Sequence, residues 1–274
     1  MKVSIVTWDA SFRENFHTIE SFSKQTYKDF EFIWVDYFQS SEGAVRAMSD
    51  YKNFMTIDLD HKKDENWHLG KCINAGVRKS AGELLIIPDG DIVVPENFIE
   101  EIVKQFDGAD DLVVYHRRFD QDESDAMKSK NTSIDYLKQT TKLYNPTNYA
   151  GCLVLTKDMF ERIGGYEEHE AFSGPGINGM ETYIRLRNSG ACIKWSDTKI
   201  YHPWHGLTGS SASSKIQKQK ILEFTVKYPW LKPYAGILQS WVVHCRERHL
   251  ECEASITNCE NLIEKLPKGL QPYV

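Results

Sequence analysis

The sequence predicts an α/β fold in which helices flank a mostly parallel sheet, with a helical extension at the C-terminal end. Over the first 115 residues, short runs rich in β-branched and aromatic residues alternate with amphipathic stretches, which is typical of βαβ units. The chain has 274 residues, 41% hydrophobic and 26% charged, as in ordinary globular proteins. At about 150 residues per domain, this length allows one large domain with an extension, or two small domains.

The elements of the first half follow directly from this alternation. β-Rich runs predict strands at residues 3–8, 30–36, 54–58, 83–88 and 112–115. Amphipathic stretches between them predict helices at residues 16–22, 43–51, 69–79 and 95–106. Pro95 followed by Glu96 favours a helix start, because proline lacks the N–H that is unpaired at a first helical position and the acid complements the helix dipole.

The second half is less regular. Residues 123–148 are polar and fit a mobile helix or a loop. Further on, the pattern predicts an apolar run at 149–156, a helix at 157–163, a Gly-rich loop at 173–179, a helix at 180–188 and a strand at 199–202. Residues 206–214 are rich in Gly and Ser and predict a flexible loop or hinge. We therefore expect a domain at residues 1–205 and a loop with a helical extension at 206–274.

The charge and the apolar runs exclude several classes of protein. There are 33 basic and 39 acidic residues, a formal charge of −6, which argues against a nucleic-acid partner. No apolar run approaches 18 residues, so we expect neither a signal peptide nor a transmembrane segment. These features predict a cytoplasmic protein, with peripheral binding at the inner membrane face as an alternative for the extension.

The six cysteines include no C-x-x-C pair, which fits reduced thiols better than disulfides or a zinc site. Cys245, Cys252 and Cys259 recur every seven residues and would share one face of a helix, where cysteine packs as a small hydrophobic residue. The extension is therefore expected to close the domain or to form a homodimer contact.

The strongest local signal is Asp89-Gly90-Asp91, which follows an apolar run. In an open α/β sheet, ligands bind beyond the carboxyl ends of strands, where these acids fall. Two carboxylates separated by one residue can hold Mg²⁺ or a similar cation through oxygen, with other positions left for phosphate oxygens and water. Gly90 permits a close backbone approach. A simple Asp-Gly turn at the strand end is the structural alternative.

Two histidines follow the last predicted strand. His202 and His205 lie more than a hundred residues after the acids. A neutral imidazole can complete an octahedral Mn²⁺ or Mg²⁺ site begun by Asp91. The spacing does not decide between the two histidines, and a partly exposed pair beside a rigid Pro-Trp turn is the structural alternative.

A third signal is Glu181, which follows a Gly-rich loop in the first turn of a predicted helix. A flexible loop that delivers one carboxylate beside a leaving group suits a general base. Glu181 and Arg185 also have the i,i+4 spacing of a surface ion pair, so both interpretations stay open.

Taken in order, these motifs resemble those of nucleotide-sugar glycosyltransferases with the GT-A fold, particularly those of family two. The resemblance covers residues 3–205. Its segments are the opening strand at 3–7, a second strand at 32–36, the stretches 69–76 and 81–83, Asp89-Gly90-Asp91 at the D-x-D position and residues 163–168 at the G-G-[FY]-[DE]-E position.

The resemblance implies a metal-dependent enzyme that transfers a hexosyl or N-acetylhexosaminyl group from a nucleoside-diphosphate sugar. The expected donor is a UDP-sugar. The acceptor would be a hydroxyl of a glycan or a lipid-linked saccharide in polysaccharide or glycan synthesis, and the configuration would invert. Mn²⁺ or Mg²⁺ would be held by Asp91 and a histidine, with Asp89 nearby. Of His202 and His205, His202 is favoured because it follows the strand most directly.

The resemblance also assigns roles around the metal. Glu181 would take the proton from the acceptor hydroxyl. Asp36 would bind the base, and Lys71 would meet a phosphate or ribose oxygen. The full set of implied donor contacts is Thr7, Asp36, Lys71, Asn74, Asp89 and Gly90.

The chain departs from the family pattern at two places. Asn178 and Gly179 stand where the family's E-D-x-D motif has Glu and Asp, and Glu181 falls on its last acid. The alternative bases just upstream are Glu167, Glu168 and Glu170. Tyr37 replaces a second Asp after the second strand.

Two other functions stay open at this point. One is a sugar nucleotidyltransferase, although residues 8–13 lack the Gly-rich phosphate loop that such an enzyme usually has after its first strand. The other is a protein that binds a nucleotide sugar without turning it over, because the E-D-x-D motif is altered.

Overall fold

The structure is a computed structural model that describes residues 1–11, 13–168, 172–174 and 178–206. Glu170 and residues 207–274 lie outside the described residues, and with them the expected C-terminal helices, most of the Gly/Ser-rich loop and the three evenly spaced cysteines.

Strands and helices alternate through the first part of the chain, as the sequence predicts. The strands are β1 (Val3–Asp9), β2 (Phe30–Asp36), β3 (Phe54–Asp58), β4 (Leu84–Pro88), β5 (Leu112–Gln121), β6 (Thr141–Lys142), β7 (Cys152–Thr156) and β8 (Cys192–His202). The helices are α1 (His17–Ser23), α2 (Glu42–Met48), α3 (Leu69–Lys79), α4 (Phe98–Gln105), α5 (Glu123–Lys128), α6 (Ile134–Thr140), α7 (Lys157–Arg162) and α8 (Asn178–Asn188).

The eight strands of the described part of the chain form one mixed sheet. Its order is β3-β2-β1-β4-β7-β5-β6, with β8 paired to β5. The strands β1 to β4 pair in parallel, and β7 lies antiparallel to both β4 and β5. β5 therefore runs in the same direction as β4, and β8 pairs in parallel with β5. As a result, the carboxyl ends of β1, β2, β4 and β8 all reach the same edge of the sheet.

Among the described residues, the two largest hydrophobic clusters lie one on each face of the sheet. Ile5 of β1 packs on one face with Phe22 of α1 and Phe98 of α4. The neighbouring Val6 points to the other face and packs with Ile73 of α3. All seven residues of β1 are buried, as expected for a central strand covered by helices on both sides.

The boundaries differ from the predicted ones where polar residues enter the sheet. β5 and β8 extend well beyond the predicted 112–115 and 199–202, because they pair with each other over most of their length. Exposed residues alternate with less exposed ones along β8, so its apolar signal is weak. The polar stretch 123–148 holds α5, α6 and β6. Pro95 lies before α4, which begins at Phe98, because residues 95–97 form a turn in which Pro95 O accepts from Phe98 N.

Buried His116 on β5 makes the stability of this fold depend on pH. Its Nδ1 lies 3.1 Å from Thr198 O, its ring packs on Phe98, and burial lowers its pKa to about 4. In the unfolded chain, where a histidine has a pKa near 6.5, this ring binds a proton as the pH falls from 7 to 4.5. In the folded protein the same ring stays largely neutral over this range. We therefore expect the free energy of unfolding to fall by about 2 to 3 kcal/mol between pH 7 and pH 4.5 from this residue alone.

Urea unfolding at the two pH values measures this effect. His116→Gln should show a smaller fall than the wild type, whereas His61→Gln, at a partly exposed histidine, should not. Equal falls in the wild type and His116→Gln would contradict the prediction.

Candidate active site and metal centre

Three potential metal ligands meet at the carboxyl edge of the sheet. Asp91 follows β4 and His202 ends β8, and backbone hydrogen bonds between Val93 and Tyr201 hold the two segments together. Nε2 of His202 lies 3.5 Å from Asp91 Oδ1, and Nε2 of His205 lies 3.4 Å from Asp91 Oδ2. One ligand atom from each of these residues falls within 4.8 Å of the others.

Each histidine ring is oriented by an acceptor at its other nitrogen. His202 Nδ1 lies 3.0 Å from Asp120 Oδ1, and His205 Nδ1 lies 2.8 Å from Gly206 O. A neutral ring that donates from Nδ1 keeps its lone pair on Nε2, and such a partner is typical of metal-binding histidines. Both Nε2 atoms face Asp91 and lie 3.1 Å apart. The arrangement is therefore that of two imidazole ligands directed at one point.

The electrostatics of Asp91 fit a cation at this point. Its Oδ1 is buried and makes no hydrogen bond. Burial opposes its ionisation, yet the charge of Arg13 and the contacts with His202 and His205 hold the pKa of Asp91 well below its usual range. Asp91 is therefore ionised at neutral pH, and its Oδ1 accepts no hydrogen bond.

The two histidines respond to Asp91 in the opposite direction. Burial lowers the pKa of His202, but its contacts with Asp120 and Asp91 outweigh burial and raise it. Contact with Asp91 also raises the pKa of His205. The negative charge of Asp91 therefore favours a proton on His202 or His205. A divalent ion bound at this place would balance the same negative charge.

Asp89, the other acid of the motif, does not join this cluster. Its Oδ2 lies 3.2 Å from Arg118 Nη1, and Arg118 Nε lies 2.8 Å from Asp120 Oδ1. Burial and the nearby Asp91 raise the pKa of Asp89 to about 6. Arg118 thus links Asp89 to the residue that orients His202, and Asp89 is not one of the three residues whose ligand atoms converge.

Arg13, in the loop after β1, is a member of the site that the sequence does not reveal. Its Nη1 lies 3.1 Å from Asp9 Oδ1 and its Nη2 lies 3.5 Å from Asp91 Oδ2. A Cβ on Gly90 would lie 2.7 Å from Arg13 Nε. The glycine between the two acids therefore makes room for this guanidinium, where the sequence predicts contact with the donor.

The charges of the described site leave room for one divalent cation. With neutral histidines and ionised acids, four carboxylates face two guanidinium groups, which leaves two negative charges. The carboxylates are those of Asp9, Asp89, Asp91 and Asp120, and the guanidinium groups those of Arg13 and Arg118.

Two residues that were predicted to bind the nucleotide sugar make hydrogen bonds within the protein. Thr7 is fully buried, and its Oγ1 donates to Pro88 O at 2.9 Å. Asp36 is fully buried and accepts from Ser11 N at 3.1 Å, Ser11 Oγ at 3.0 Å and Phe38 N at 2.9 Å. These bonds shape the loops after β1 and β2. By contrast, Lys71 lies in the first turn of α3 with a partly exposed side chain.

Asn74, also predicted to bind the donor, holds the turn at Gly164 and Gly165. Its Nδ2 donates to Tyr166 O at 2.8 Å and to Glu168 Oε1 at 2.7 Å, and its Oδ1 accepts from Tyr166 N at 2.8 Å. Both glycines have positive φ angles, 74° and 70°. Both amide hydrogens are used within the chain, which favours a structural role for Asn74.

Glu181 is enclosed in the core instead of lining an open site. Its side chain is 1% exposed, and both of its carboxylate oxygens accept from Arg185. Arg185 also donates to Ile163 O and Gly165 O, so that it joins α8 to the glycine turn. Burial raises the pKa of Glu181, and Arg185 partly offsets this effect. The predicted i,i+4 pair therefore forms, but it is buried.

A general base must reach the hydroxyl that it deprotonates. In this conformation the side chain of Glu181 is almost fully enclosed and paired with Arg185, and its role as the general base stays a prediction. Of the alternatives, Glu167 is buried, whereas the side chain of Glu168 is 42% exposed and contacts Arg78.

Comparison with solved structures shows the GT-A fold. S. aureus TarS 1–349 in complex with UDP-GlcNAc has 15% identity and a TM-score of 0.61, with 98% of this chain and 83% of that chain covered. GalNAc-T7 with UDP, GalNAc and Mn²⁺ has 13% identity and a TM-score of 0.59, with 96% and 54% covered. The mannosyltransferase PcManGT from Pyrobaculum calidifontis with GDP-Man and Mn²⁺ has 13% identity and a TM-score of 0.58, with 96% and 74% covered.

Comparison by sequence adds the family. No curated protein matches the chain significantly. Within the described residues, no helix is both long and apolar enough to cross a membrane. The profile of glycosyl transferase family 2 matches residues 17–164, more than half of the sequence. The chain therefore belongs to glycosyl transferase family 2.

Proposed function

We propose that this chain is a metal-dependent glycosyltransferase that moves a hexosyl or N-acetylhexosaminyl group from a UDP-sugar to an acceptor hydroxyl, with inversion. The observation that carries the proposal is the convergence of Asp91, His202 and His205, whose ligand atoms lie within 4.8 Å of one another. They lie at the carboxyl edge of the sheet, where ligands of open α/β folds bind. The acceptor that we propose is a glycan or a lipid-linked saccharide.

The residues of this cluster suit Mn²⁺ better than Mg²⁺. Imidazole nitrogen is a ligand that transition metals accept readily, whereas Mg²⁺ prefers oxygen. Asp91, His202 and His205 would hold the ion, and Asp120 would keep the His202 ring in the orientation that presents Nε2. When bound, the metal supplies Lewis-acid stabilisation of the charge on the leaving diphosphate.

Two of the similar structures support UDP as the nucleotide of the sugar donor. TarS was solved with UDP-GlcNAc, and GalNAc-T7 was solved with UDP and GalNAc. PcManGT was solved with GDP-Man, so GDP is the alternative that the experiment must separate. On the protein side, Lys71 is the predicted contact with an accessible charge, and Asp36 would bind the base by exchanging one of its bonds to Ser11.

We infer that Glu181 serves the acceptor side as a support. Through Arg185 it holds the start of α8 against the turn at Gly164 and Gly165. Asn74 holds the same turn from α3. The glycine turn is thereby held from α3 and from α8, and it would give an acceptor a defined wall.

A thermal-shift panel tests the proposal. UDP, GDP, CDP and dTDP are each added at millimolar concentration with Mn²⁺, with Mg²⁺ and with EDTA. We expect UDP with Mn²⁺ to raise Tm by about 5 °C or more, since a ligand at 100 times its Kd stabilises the folded state by about 2.7 kcal/mol. UMP with Mn²⁺ is the matched control for the second phosphate.

Hydrolysis of UDP-hexoses and UDP-N-acetylhexosamines then identifies the sugar. A larger shift in Tm with GDP than with UDP would identify GDP as the nucleotide of the donor instead of UDP. The absence of a shift with every nucleoside diphosphate in the presence of metal would contradict the proposed function.

A further inference from the structure

A cation of the protein itself already lies beside the predicted metal ligands. The side chain of Arg13 is 6% exposed, and its guanidinium lies between Asp9 and Asp91. Its Nη1 also donates to Trp8 O at 2.9 Å, and its charge lies 5.1 Å from the centre of the Trp8 ring. Contacts with Asp9, Asp91 and Trp8 thus fix one positive charge at this edge of the sheet.

Arg13 and the histidine cluster share one carboxylate oxygen. Asp91 Oδ2 lies 3.5 Å from Arg13 Nη2 and 3.4 Å from His205 Nε2. A divalent cation held by Asp91 would therefore lie near the guanidinium, and two positive charges repel strongly at such a distance in a buried site. Arg13 should accordingly oppose the binding of a metal that arrives without an anion.

The same group suits the anion of the proposed donor. A guanidinium presents a planar fork of N–H donors that binds phosphate oxygens in pairs. Gly90 leaves the space that the stem of Arg13 occupies, directly between the two acids of the motif. The position is consequently next to both the ligand cluster and the strand edge where the diphosphate is expected.

We propose that Arg13 is the resident counter-ion of Asp91 and the diphosphate-binding residue of the donor site. Without donor it neutralises Asp91 and weakens the binding of metal alone. With a metal-bound nucleoside diphosphate it pairs with phosphate oxygens, so that metal and nucleotide bind together. The inference rests on the proposed function and adds a residue that the family motifs do not include.

Two titrations test the inference in the wild type and in Arg13→Met. The first follows Mn²⁺ alone by electron paramagnetic resonance of the free ion. The second follows UDP, and GDP in parallel, by calorimetry at saturating Mn²⁺. We expect Arg13→Met to bind Mn²⁺ alone about tenfold or more tighter, because a nearby like charge is removed. We expect its affinity for the nucleoside diphosphate to fall about tenfold or more.

Arg117→Met is the matched control. Arg117 also faces an aspartate, Asp197 at 3.6 Å, and its guanidinium lies 5.9 Å from the centre of the Trp195 ring. Neither of these contacts involves a residue of the ligand cluster, so the loss of Arg117 should change neither affinity. Mn²⁺ affinity that is unchanged or weaker in Arg13→Met would overturn the counter-ion role, and unchanged nucleotide affinity would overturn the diphosphate contact.

Arg13→Lys keeps the test decisive if the methionine variant does not fold by circular dichroism. Lysine keeps the charge and loses the fork, so Mn²⁺ affinity should match the wild type while nucleotide affinity falls several-fold. Wild-type nucleotide affinity in this variant would overturn the inference. A wild-type protein that binds neither Mn²⁺ nor a nucleoside diphosphate would instead overturn the proposed function.

Discussion

Asp91→Ala is expected to lower the rate of sugar transfer by about a thousandfold or more, since metal stabilisation of a leaving group is worth several kcal/mol. The substitution removes the carboxylate that both histidines face and leaves their Nε2 atoms without an anionic partner. Binding of UDP in the presence of Mn²⁺ should become as weak as in EDTA. Turnover of the UDP-sugar and calorimetric titration of UDP measure the two effects.

Two variants separate this effect from a general loss of structure. Asp91→Asn keeps the shape of the side chain and should show the same loss of metal-dependent binding. Asp197→Ala removes a fully exposed aspartate and should leave turnover unchanged. Transfer above about a tenth of the wild-type rate in Asp91→Ala would contradict the metal role.

Glu181→Gln is expected to lower the free energy of unfolding by about 3 kcal/mol or more, because it leaves the buried charge of Arg185 without its anion. The pair is almost fully enclosed, and Arg185 is the group that holds the glycine turn. Urea unfolding at pH 7 measures the change. Turnover should fall together with the loss of order in this part of the acceptor side.

A surface ion pair with the same spacing provides the control. Glu100 and Lys104 on α4 are also four residues apart, but both are well exposed. Glu100→Gln should therefore change the unfolding free energy far less than Glu181→Gln, because exposed ion pairs contribute little to stability. If Glu181→Gln keeps wild-type stability while turnover falls about a hundredfold, Glu181 is the general base after all, and its supporting role is wrong.

The sequence predicts the central half of the sheet well, because buried parallel strands are nearly continuous apolar runs. β1, β2 and β4 show this pattern, and every residue in them is buried. β8 was only partly predicted, since exposed side chains alternate along it and its pairing with β5 is a contact of distant segments. A local window does not contain that partner.

In the candidate site, too, local motifs were predictable from the sequence, whereas contacts between distant segments were not. Asp91 and one of the two histidines were predicted to share a metal site, and the structure places Asp91 after β4 beside His202 at the end of β8. Arg13 and Asp120 belong to no motif, and only the folded chain shows their contacts with Asp91 and His202. Polar residues in motif positions can also be used internally, as Asn74 is, and sequence patterns do not separate that use from ligand binding.

The pairing of β8 with β5 has a consequence for biosynthesis. Asp91 leaves the ribosome more than a hundred residues before His202, and the two meet only after the last described strand has joined the sheet. Contacts of such long sequence separation form late, once the loop-closure entropy has been overcome. A nascent chain that ends before β8 would therefore expose Asp91 without its histidines. Under the proposed metal role, affinity for Mn²⁺ should appear only in chains in which β8 has joined β5, so that the ion would report completion of the described sheet.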